Sequence, residues 1–322
     1  MPAPPRARVV ATRRLPAPVV SELRASFELV LHDRVEAPPR DDVLASAAGA
    51  DALLTVPTDR VDAELLDAAG GRLRVIAQYG VGHDNVDLAA ATARGVVVTN
   101  TPDVLTGATA ELTIALLLAL ARRVAEGDRL VRRGDPWSLS PTFLLGTGLA
   151  GRTLGVVGWG RIGREVGRLA AAHGMRVVHA SRSSGIPLDR LLADADAVSL
   201  HTPLTPETRH LLGEEALARM RPGALLVNTS RGAVVDEQAL VRALLAGRLA
   251  GAALDVFEDE PDVHPELRRL ENVVLTPHIA SATHEAREAM GMLCVEALRD
   301  ALFERTVPRH ALNPVAWSRA DA

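Results

Sequence analysis

The amino-acid sequence predicts an α/β fold in two domains, each built on a parallel β-sheet. Three observations predict it. Short apolar runs alternate with helical patterns along nearly the whole chain, which is typical of βαβ units. A length of 322 residues is enough for two domains. A glycine-rich segment, GWGRIG at 158–163, stands between an apolar strand pattern and a helical pattern, as a tight turn between strand and helix requires.

The first series of elements covers roughly the first hundred residues. Strands are predicted at Arg8–Thr12, Glu28–His32, Ala52–Val56, Leu73–Tyr79 and Val96–Asn100. Helices are predicted at Pro18–Ser26, Asp41–Ala48 and Val61–Ala69, followed by a long helix at Ala108–Val124. This alternation indicates a mostly parallel sheet.

A second series follows the long helix. Strands are predicted at 153–157, 175–180, 196–200, 224–229, 251–256 and 273–276. Helices are predicted at Arg161–Ala172 and Glu237–Ala246, with a final helix at Ala286–Leu302. Six parallel strands suit a dinucleotide-binding fold. The sequence therefore predicts two Rossmann-like domains with parallel sheets.

The amino-acid composition of the chain excludes several classes of protein function. The net charge of −4 gives no general attraction to nucleic acid or an anionic membrane. The densest apolar run, Ile114–Ala121, is too short to span a bilayer, and the N-terminus lacks a signal peptide's apolar core, so we expect a cytoplasmic protein. All 36 basic residues are arginine, which excludes lysine Schiff-base chemistry and a GxxxxGK[ST] phosphate loop. The ten histidines are scattered, so we expect no metal site.

The glycine turn predicts a dinucleotide site. Gly158 allows a sharp turn, Gly160 lets the backbone approach a pyrophosphate, and Gly163 lets the helix pack on the strand. Arg161 and Ile162 open that helix, where free N–H groups face phosphates. A glycine-rich turn without a ligand is the alternative interpretation.

The end of the next strand indicates which dinucleotide is preferred. A ribose-binding acid is expected near position 181, but Ser181, Arg182 and Ser183 stand there. No carboxylate repels a 2′-phosphate, and arginine and hydroxyl groups can bind one. NADP(H) is therefore the predicted cofactor, with NAD(H) possible if Arg182 is only a solvated loop residue.

Three reactive side chains follow later strands of the second series: Arg231, Glu260 and His278. Ligands of open α/β sheets bind outside the carboxyl ends of the strands, so these residues can converge on one crevice. Arginine can grip a carboxylate, histidine can protonate a carbonyl oxygen, and a glutamate can orient that histidine. With a nicotinamide to deliver hydride, the set predicts reversible reduction of a 2-keto acid.

At these residues the sequence resembles the D-isomer-specific 2-hydroxyacid dehydrogenase family, and within it the glyoxylate/hydroxypyruvate reductases. The matching segments cover nearly the whole chain: QYGVGHDNVDL (78–88), TNTPDVLTGATAELTIALLLALARR (99–123), GWGRIG (158–163), HTPLTPETRHLLG (201–213), VNTSRGAVVDE (227–237), ALDVFEDEP (253–261) and TPHIASAT (276–283).

The resemblance implies roles for individual residues. It implies that Arg231, Glu260 and His278 are catalytic, that Asp255 contacts the nicotinamide carboxamide, and that N–H groups around Val81 and Gly82 bind the substrate carboxylate together with Arg231. The further cofactor contacts that it implies are Thr109, His201, Pro203, Thr229 and Ala280.

The resemblance also implies an organisation for the chain. It implies a discontinuous substrate-binding domain, flavodoxin-like, at 1–103 plus 285–322, and a dinucleotide-binding domain at 104–284, with a cleft between them. It implies a homodimer, with Trp137–Leu145 near the cleft or a partner subunit. Two other functions stay open: an NAD-linked dehydrogenase of another D-2-hydroxy acid, and a nucleotide-sensing scaffold.

Overall fold

The computed structural model describes residues 6–317. The chain divides into two compact units, of which the first ends at Leu105 and resumes at Thr283, and the second is Thr106–Ala282. The domain bounds predicted from the sequence, and the ligand assigned to each domain, stay predictions. Within residues 6–317, no helix has both the length and the apolar character needed to cross a membrane.

The first unit is built on five parallel strands, ordered β2-β1-β3-β4-β5. The strands are Arg8–Ala11 (β1), Glu28–Leu31 (β2), Ala52–Thr55 (β3), Val75–Gln78 (β4) and Val97–Thr99 (β5). The helices between them are Ala17–Ser26 (α1), Arg40–Ala47 (α2), Ala63–Ala69 (α3) and Leu88–Ala93 (α4). Strands β3 and β4 are buried along their whole length, because helices cover both faces of a parallel sheet.

The second unit is built on six parallel strands, ordered β11-β10-β9-β8-β6-β7. They are Thr153–Val157 (β6), Arg176–Ala180 (β7), Ala197–Leu200 (β8), Ala224–Asn228 (β9), Leu249–Leu254 (β10) and Val273–Leu275 (β11). The helices are Thr106–Ala121 (α5), Val124–Arg133 (α6), Arg161–Ala172 (α7), Leu188–Asp194 (α8), Glu214–Arg219 (α9), Glu237–Leu245 (α10) and Pro265–Arg269 (α11). The predicted fold class, two parallel-sheet Rossmann-like units, is confirmed.

The chain returns to the first unit through the long helix His284–Arg299 (α12). Thr283 caps its start, since its hydroxyl accepts a hydrogen bond from the Ala286 N–H group. The predicted start at Ala286 was therefore wrong. The predicted end at Leu302 was also wrong, because after Arg299 the backbone continues as a π-helical turn, Asp300–Glu304.

The predicted continuous helix Ala108–Val124 was also wrong. Helix α5 ends at Ala121, and α6 begins only at Val124 because Arg123 takes the left-handed conformation, with φ 54°. The Ala121 carbonyl accepts a hydrogen bond from the Thr147 N–H group at 2.8 Å, so a tertiary contact takes an acceptor that a longer helix would use internally. The sequence pattern gave no sign of that contact.

Candidate active site

The glycine turn lies where the strand order of the second unit reverses. After β6 the chain forms β7 on one side of it and then β8 on the other, so the carboxyl ends of β6 and β8 flank the switch point. Gly158 directly follows β6 and His201 directly follows β8. This is the position at which open α/β sheets bind their ligands.

The three glycines of the turn have different surroundings. Gly158 has φ 95°, and a Cβ there would lie 2.4 Å from the His201 carbonyl oxygen. A Cβ on Gly163 would lie 2.0 Å from the Gly158 carbonyl oxygen, so the start of α7 packs directly on the turn. A Cβ on Gly160 would have no atom within 4 Å. The open side of Gly160, next to the first N–H groups of α7, therefore fits a pyrophosphate.

Trp159, between the first two glycines, packs within the unit. Its ring stacks on His179 of β7, with centroids 4.2 Å apart and an angle of 13° between the planes. On the α7 side, a Cβ on Gly167 would lie 2.7 Å from the Trp159 ring. The tryptophan thus joins the glycine turn to both β7 and α7.

The segment after β7 forms a closed turn. The Ser181 hydroxyl donates to the Ser184 carbonyl at 3.0 Å and accepts from the Ser184 N–H group at 3.1 Å. At the base of the turn, Ile186 N–H donates to the His179 carbonyl at 2.9 Å. Arg182 and Ser183 are exposed at its tip. Of the three residues predicted here, Ser181 holds the turn and Arg182 and Ser183 face outward.

Two of the predicted cofactor contacts, Thr229 and His201, have side-chain hydrogen bonds. Thr229 follows β9, and its hydroxyl lies 2.8 Å from that of Thr113, which donates to the Thr109 carbonyl at 2.7 Å. The His201 ring lies 2.8 Å from the Ser199 hydroxyl, and burial lowers the pKa of His201 to about 3, which leaves the ring neutral. Pro203, two residues further along the same loop, is exposed.

Asp255, at the end of β10, anchors the loop that carries His278. The aspartate is fully buried and accepts three hydrogen bonds, from the Thr276 hydroxyl at 2.6 Å and from the N–H groups of Ile279 at 2.9 Å and Ala280 at 2.8 Å. Its own carbonyl accepts from His278 N–H at 2.8 Å. Burial raises the pKa of Asp255, although these hydrogen bonds and the nearby His278 oppose the shift. Both carboxylate oxygens therefore hold this loop in place.

Glu260 and His278 form a pair. His278 Nδ1 lies 2.8 Å from Glu260 Oε2, and Glu260 Oε1 accepts from Phe257 N–H at 3.0 Å. Burial alone would raise the pKa of Glu260, but the hydrogen bond and charge of His278, with smaller contributions from Phe257 N–H and Arg231, hold that pKa below its ordinary value. An ionised Glu260 accepts the Nδ1 hydrogen, so Nε2 is the nitrogen of His278 that remains for chemistry.

A close backbone contact brings the Arg231 loop to the Glu260 loop. A Cβ on Gly232 would lie 1.8 Å from the Phe257 carbonyl carbon and 2.4 Å from the Glu258 nitrogen. Asn228, at the end of β9, donates through Nδ2 to the Arg231 carbonyl at 2.9 Å. Three of the predicted residues, Arg231, Glu260 and His278, are thus brought together in the second unit. Gly232 and Asn228, which the sequence analysis missed, place the Arg231 loop against the Glu260 loop.

The predicted carboxylate-binding residues, Val81 and Gly82, follow β4 in the first unit and are half-buried. The Val81 carbonyl accepts a hydrogen bond from Asn100 Nδ2 at 2.9 Å, and the Gly82 carbonyl accepts from Gln78 Nε2 at 3.3 Å. Neither Asn100 nor Gln78 was singled out from the sequence.

Comparison with known proteins identifies the family. A family model described as D-isomer specific 2-hydroxyacid dehydrogenase, NAD binding domain, matches residues 114–280. The chain is 48% identical over 322 residues to a glyoxylate reductase of Thermococcus litoralis, covering 95% of this chain and 96% of the relative. It is 49% identical over 323 residues to a glyoxylate reductase of Korarchaeum cryptofilum, with coverage of 95% and 96%.

Solved structures agree with these relatives. A protein from Thermus thermophilus matches with a TM-score of 0.89 and 48% identity, covering 95% of this chain and 99% of that one. An NADPH-dependent glyoxylate/hydroxypyruvate reductase from Sinorhizobium meliloti, solved with NADP and malonate, matches with a TM-score of 0.82 and 32% identity, covering 97% and 98%. The predicted resemblance is confirmed: the chain belongs to the D-isomer-specific 2-hydroxyacid dehydrogenases, and it is an oxidoreductase that uses a nicotinamide cofactor.

Proposed function

We propose that this chain reduces glyoxylate to glycolate and similarly small 2-keto acids, such as hydroxypyruvate, to their D-2-hydroxy acids, with NADPH as the preferred cofactor. The observation that carries the proposal is the Glu260–His278 pair, held at 2.8 Å on a loop that the buried Asp255 anchors. Two relatives that align with nearly the full chain are glyoxylate reductases, which supports a small 2-keto acid as the substrate.

Each residue of the proposed site has a role in the reaction. Arg231, with the N–H groups of Val81 and Gly82, binds the substrate carboxylate, and Arg231 polarises the adjacent carbonyl. His278 donates a proton from Nε2 to the carbonyl oxygen, and Glu260 stabilises the protonated imidazole through Nδ1. Bound at the glycine turn, the nicotinamide cofactor supplies the hydride.

The preference for NADPH rests on the turn after β7. Its tip presents the exposed Arg182 and Ser183, and no carboxylate stands at position 181. A 2′-phosphate would accept charge-assisted hydrogen bonds there, whereas an acid at position 181 would repel it. The Sinorhizobium meliloti enzyme, which shares 32% identity with this chain, is NADPH-dependent.

We further propose that the chain forms a homodimer through α6 and the segment after it. Several large apolar side chains are exposed there: Val131, Trp137, Leu139 and Leu145 are 61%, 62%, 99% and 63% exposed. Several large apolar side chains exposed within one short segment of the chain favour a protein interface there. A particle mass equal to one 34.1 kDa chain in sedimentation would contradict the dimer.

The cytoplasmic location stays a prediction.

The function is tested by initial rates on a panel of 2-keto acids with each cofactor. We expect glyoxylate and hydroxypyruvate to be reduced faster than keto acids with bulkier side chains, and with a higher kcat/KM for NADPH than for NADH. No turnover of any member with either cofactor would contradict the proposal. Turnover only with NADH would keep the reaction class and overturn the cofactor preference.

Glu260→Gln is expected to narrow the pH range of reduction from its alkaline side. Reduction needs a protonated His278, and the ionised Glu260 stabilises that form through the 2.8 Å contact. Glutamine keeps the shape but not the charge, so the alkaline limit of kcat should move to lower pH. The check is a kcat–pH profile over about pH 5 to 9.

Glu266→Gln provides a matched control, since Glu266 pairs with the exposed Arg269 on α11 and has no contact with His278. An alkaline limit that is the same in wild type and Glu260→Gln would remove Glu260 from this role.

A further inference from the structure

The loop after β4 has its carbonyl groups turned to one side. The Gly80 carbonyl accepts a hydrogen bond from Thr101 N–H at 3.0 Å, and the Val81 carbonyl accepts one from Asn100 Nδ2 at 2.9 Å. Both donors stand directly after β5, the strand that pairs in parallel with β4. Two successive carbonyls of this loop are therefore held toward the end of β5.

The direction of these carbonyls fixes the direction of two N–H groups. In a trans peptide the N–H group points away from the carbonyl of the same unit. The peptide units 80–81 and 81–82 carry the N–H groups of Val81 and Gly82, which accordingly point away from β5 on the same side. Within residues 6–317, neither N–H group donates a hydrogen bond. Adjacent N–H groups with a common direction can bind the two oxygens of one carboxylate.

Gln78 restrains the far end of the same loop. It is fully buried at the end of β4, and its Nε2 donates to the Gly82 carbonyl at 3.3 Å and to Asn85 Oδ1 at 2.8 Å. Its Oε1 accepts from the Thr55 hydroxyl at 2.7 Å. Only proline would remove the backbone N–H of Thr101, and it would also restrict the backbone. Gln78 belongs to a buried network, so Asn100 is the side chain through which the loop can be probed alone.

We propose that Asn100 is a positioning residue for the substrate: it holds the 81–82 peptide unit so that Gly82 N–H points at the carboxylate of the 2-keto acid. The inference rests on the proposed function. Asn100 itself does not contact the substrate in this scheme, and it acts through the 2.9 Å hydrogen bond to the Val81 carbonyl. Without that bond the peptide unit can rotate, and one of the two N–H donors is lost.

The test is the kinetics of Asn100→Ala with glyoxylate and NADPH. We expect KM for glyoxylate to rise about 10-fold, the scale on which one hydrogen bond to a charged group affects affinity. The inhibition constant of oxamate, a carboxylate analogue of the substrate, should rise by the same factor. The Kd of NADPH, read by fluorescence, should stay unchanged, and kcat should fall less than about 3-fold because carboxylate binding is common to ground and transition states.

Two further variants make the result decisive. Asn100→Asp keeps the size of the side chain but faces the Val81 carbonyl with an acceptor, so it should raise the glyoxylate KM and the oxamate constant more than alanine does. Asn272→Ala is the matched control, since Asn272 also donates to one backbone carbonyl, that of Ala250 at 3.1 Å, at the opposite end of β10 from Asp255. It should leave both constants unchanged.

The outcomes separate the inference from the proposed function. A wild-type chain that reduces no 2-keto acid contradicts the function, whatever Asn100 does. A wild-type chain that turns over glyoxylate, with unchanged KM and oxamate constant in both Asn100 variants, overturns the positioning role alone. An equal rise in KM in Asn272→Ala would also overturn it. If Asn100→Ala fails to fold, Asn100→Asp decides the question: its glyoxylate KM and its oxamate inhibition constant are each compared with the wild-type value.

Discussion

His278→Ala is expected to lower kcat for glyoxylate reduction by ~10²–10⁴-fold, the usual contribution of a general acid. The imidazole is the proton donor of the proposed mechanism, with Glu260 2.8 Å from Nδ1 and Nε2 left for the substrate. The affinity for NADPH should change less than about twofold, because the glycine turn and the Ser181–Gly185 turn do not depend on this ring. Single-turnover rates and fluorescence titration of NADPH measure the two quantities.

His173→Ala is the control for this substitution. His173 lies at the end of α7, and its ring nitrogen Nδ1 lies 2.8 Å from the Leu169 carbonyl of the same helix, away from the strand ends that carry the site. It should retain the wild-type kcat. A loss of only severalfold in His278→Ala would show that another group donates the proton.

Arg182→Ala is expected to raise KM for NADPH by about 10- to 150-fold, which corresponds to the ~1.5–3 kcal/mol of a charge-assisted hydrogen bond. KM for NADH should hardly change, since NADH has no 2′-phosphate. The effect should lie in KM, because the phosphate is remote from the reacting carbon and is held alike in ground and transition states.

Ser181→Asp should change the preference further. The new carboxylate repels a 2′-phosphate and can accept a hydrogen bond from the 2′-hydroxyl of NADH. It can also accept from Ser184 N–H, as the Ser181 hydroxyl does at 3.1 Å, so the turn should survive. Values of kcat/KM for both cofactors on wild type and both variants are the measurement.

Arg190→Ala, which removes an exposed arginine paired with Asp194 on α8, is the control and should leave both cofactors unaffected. If Arg182→Ala weakens NADPH and NADH equally, or if wild type prefers NADH, the segment is only a loop and the NADPH proposal is wrong.

Much of the fold and several site positions could be predicted because their signals are local. The periods of strands and helices are visible within a few residues of sequence. The spacing of Gly158, Gly160 and Gly163 is likewise visible within six residues. Glu260 and His278 stand out because each follows a strand-like run within a few residues and the carboxyl ends of parallel strands meet at one edge of the sheet. Their pairing at 2.8 Å is consistent with that reasoning.

What could not be predicted depends on contacts between distant segments. Nothing around Gly232 indicates that its α-carbon lies against the Phe257 carbonyl, because that contact exists only once β9 and β10 are neighbours. The end of α5 at Ala121 depends on Thr147, 26 positions away in the chain. Asp255 is a similar case, since its three donors come from a loop that starts after β11.

The closed turn at Ser181–Gly185 has a consequence for how this protein can change during evolution. Its internal hydrogen bonds and the close approach of Gly185 to the His179 carbonyl close it at the base, and Arg182 and Ser183 are exposed at its tip. Substitutions at its tip therefore disturb neither the sheet nor the loops that carry Arg231, Glu260 and His278. In the function that we propose, exchange of Arg182 and Ser183 at the tip would change the choice between NADPH and NADH, while the residues proposed for catalysis are inherited unchanged.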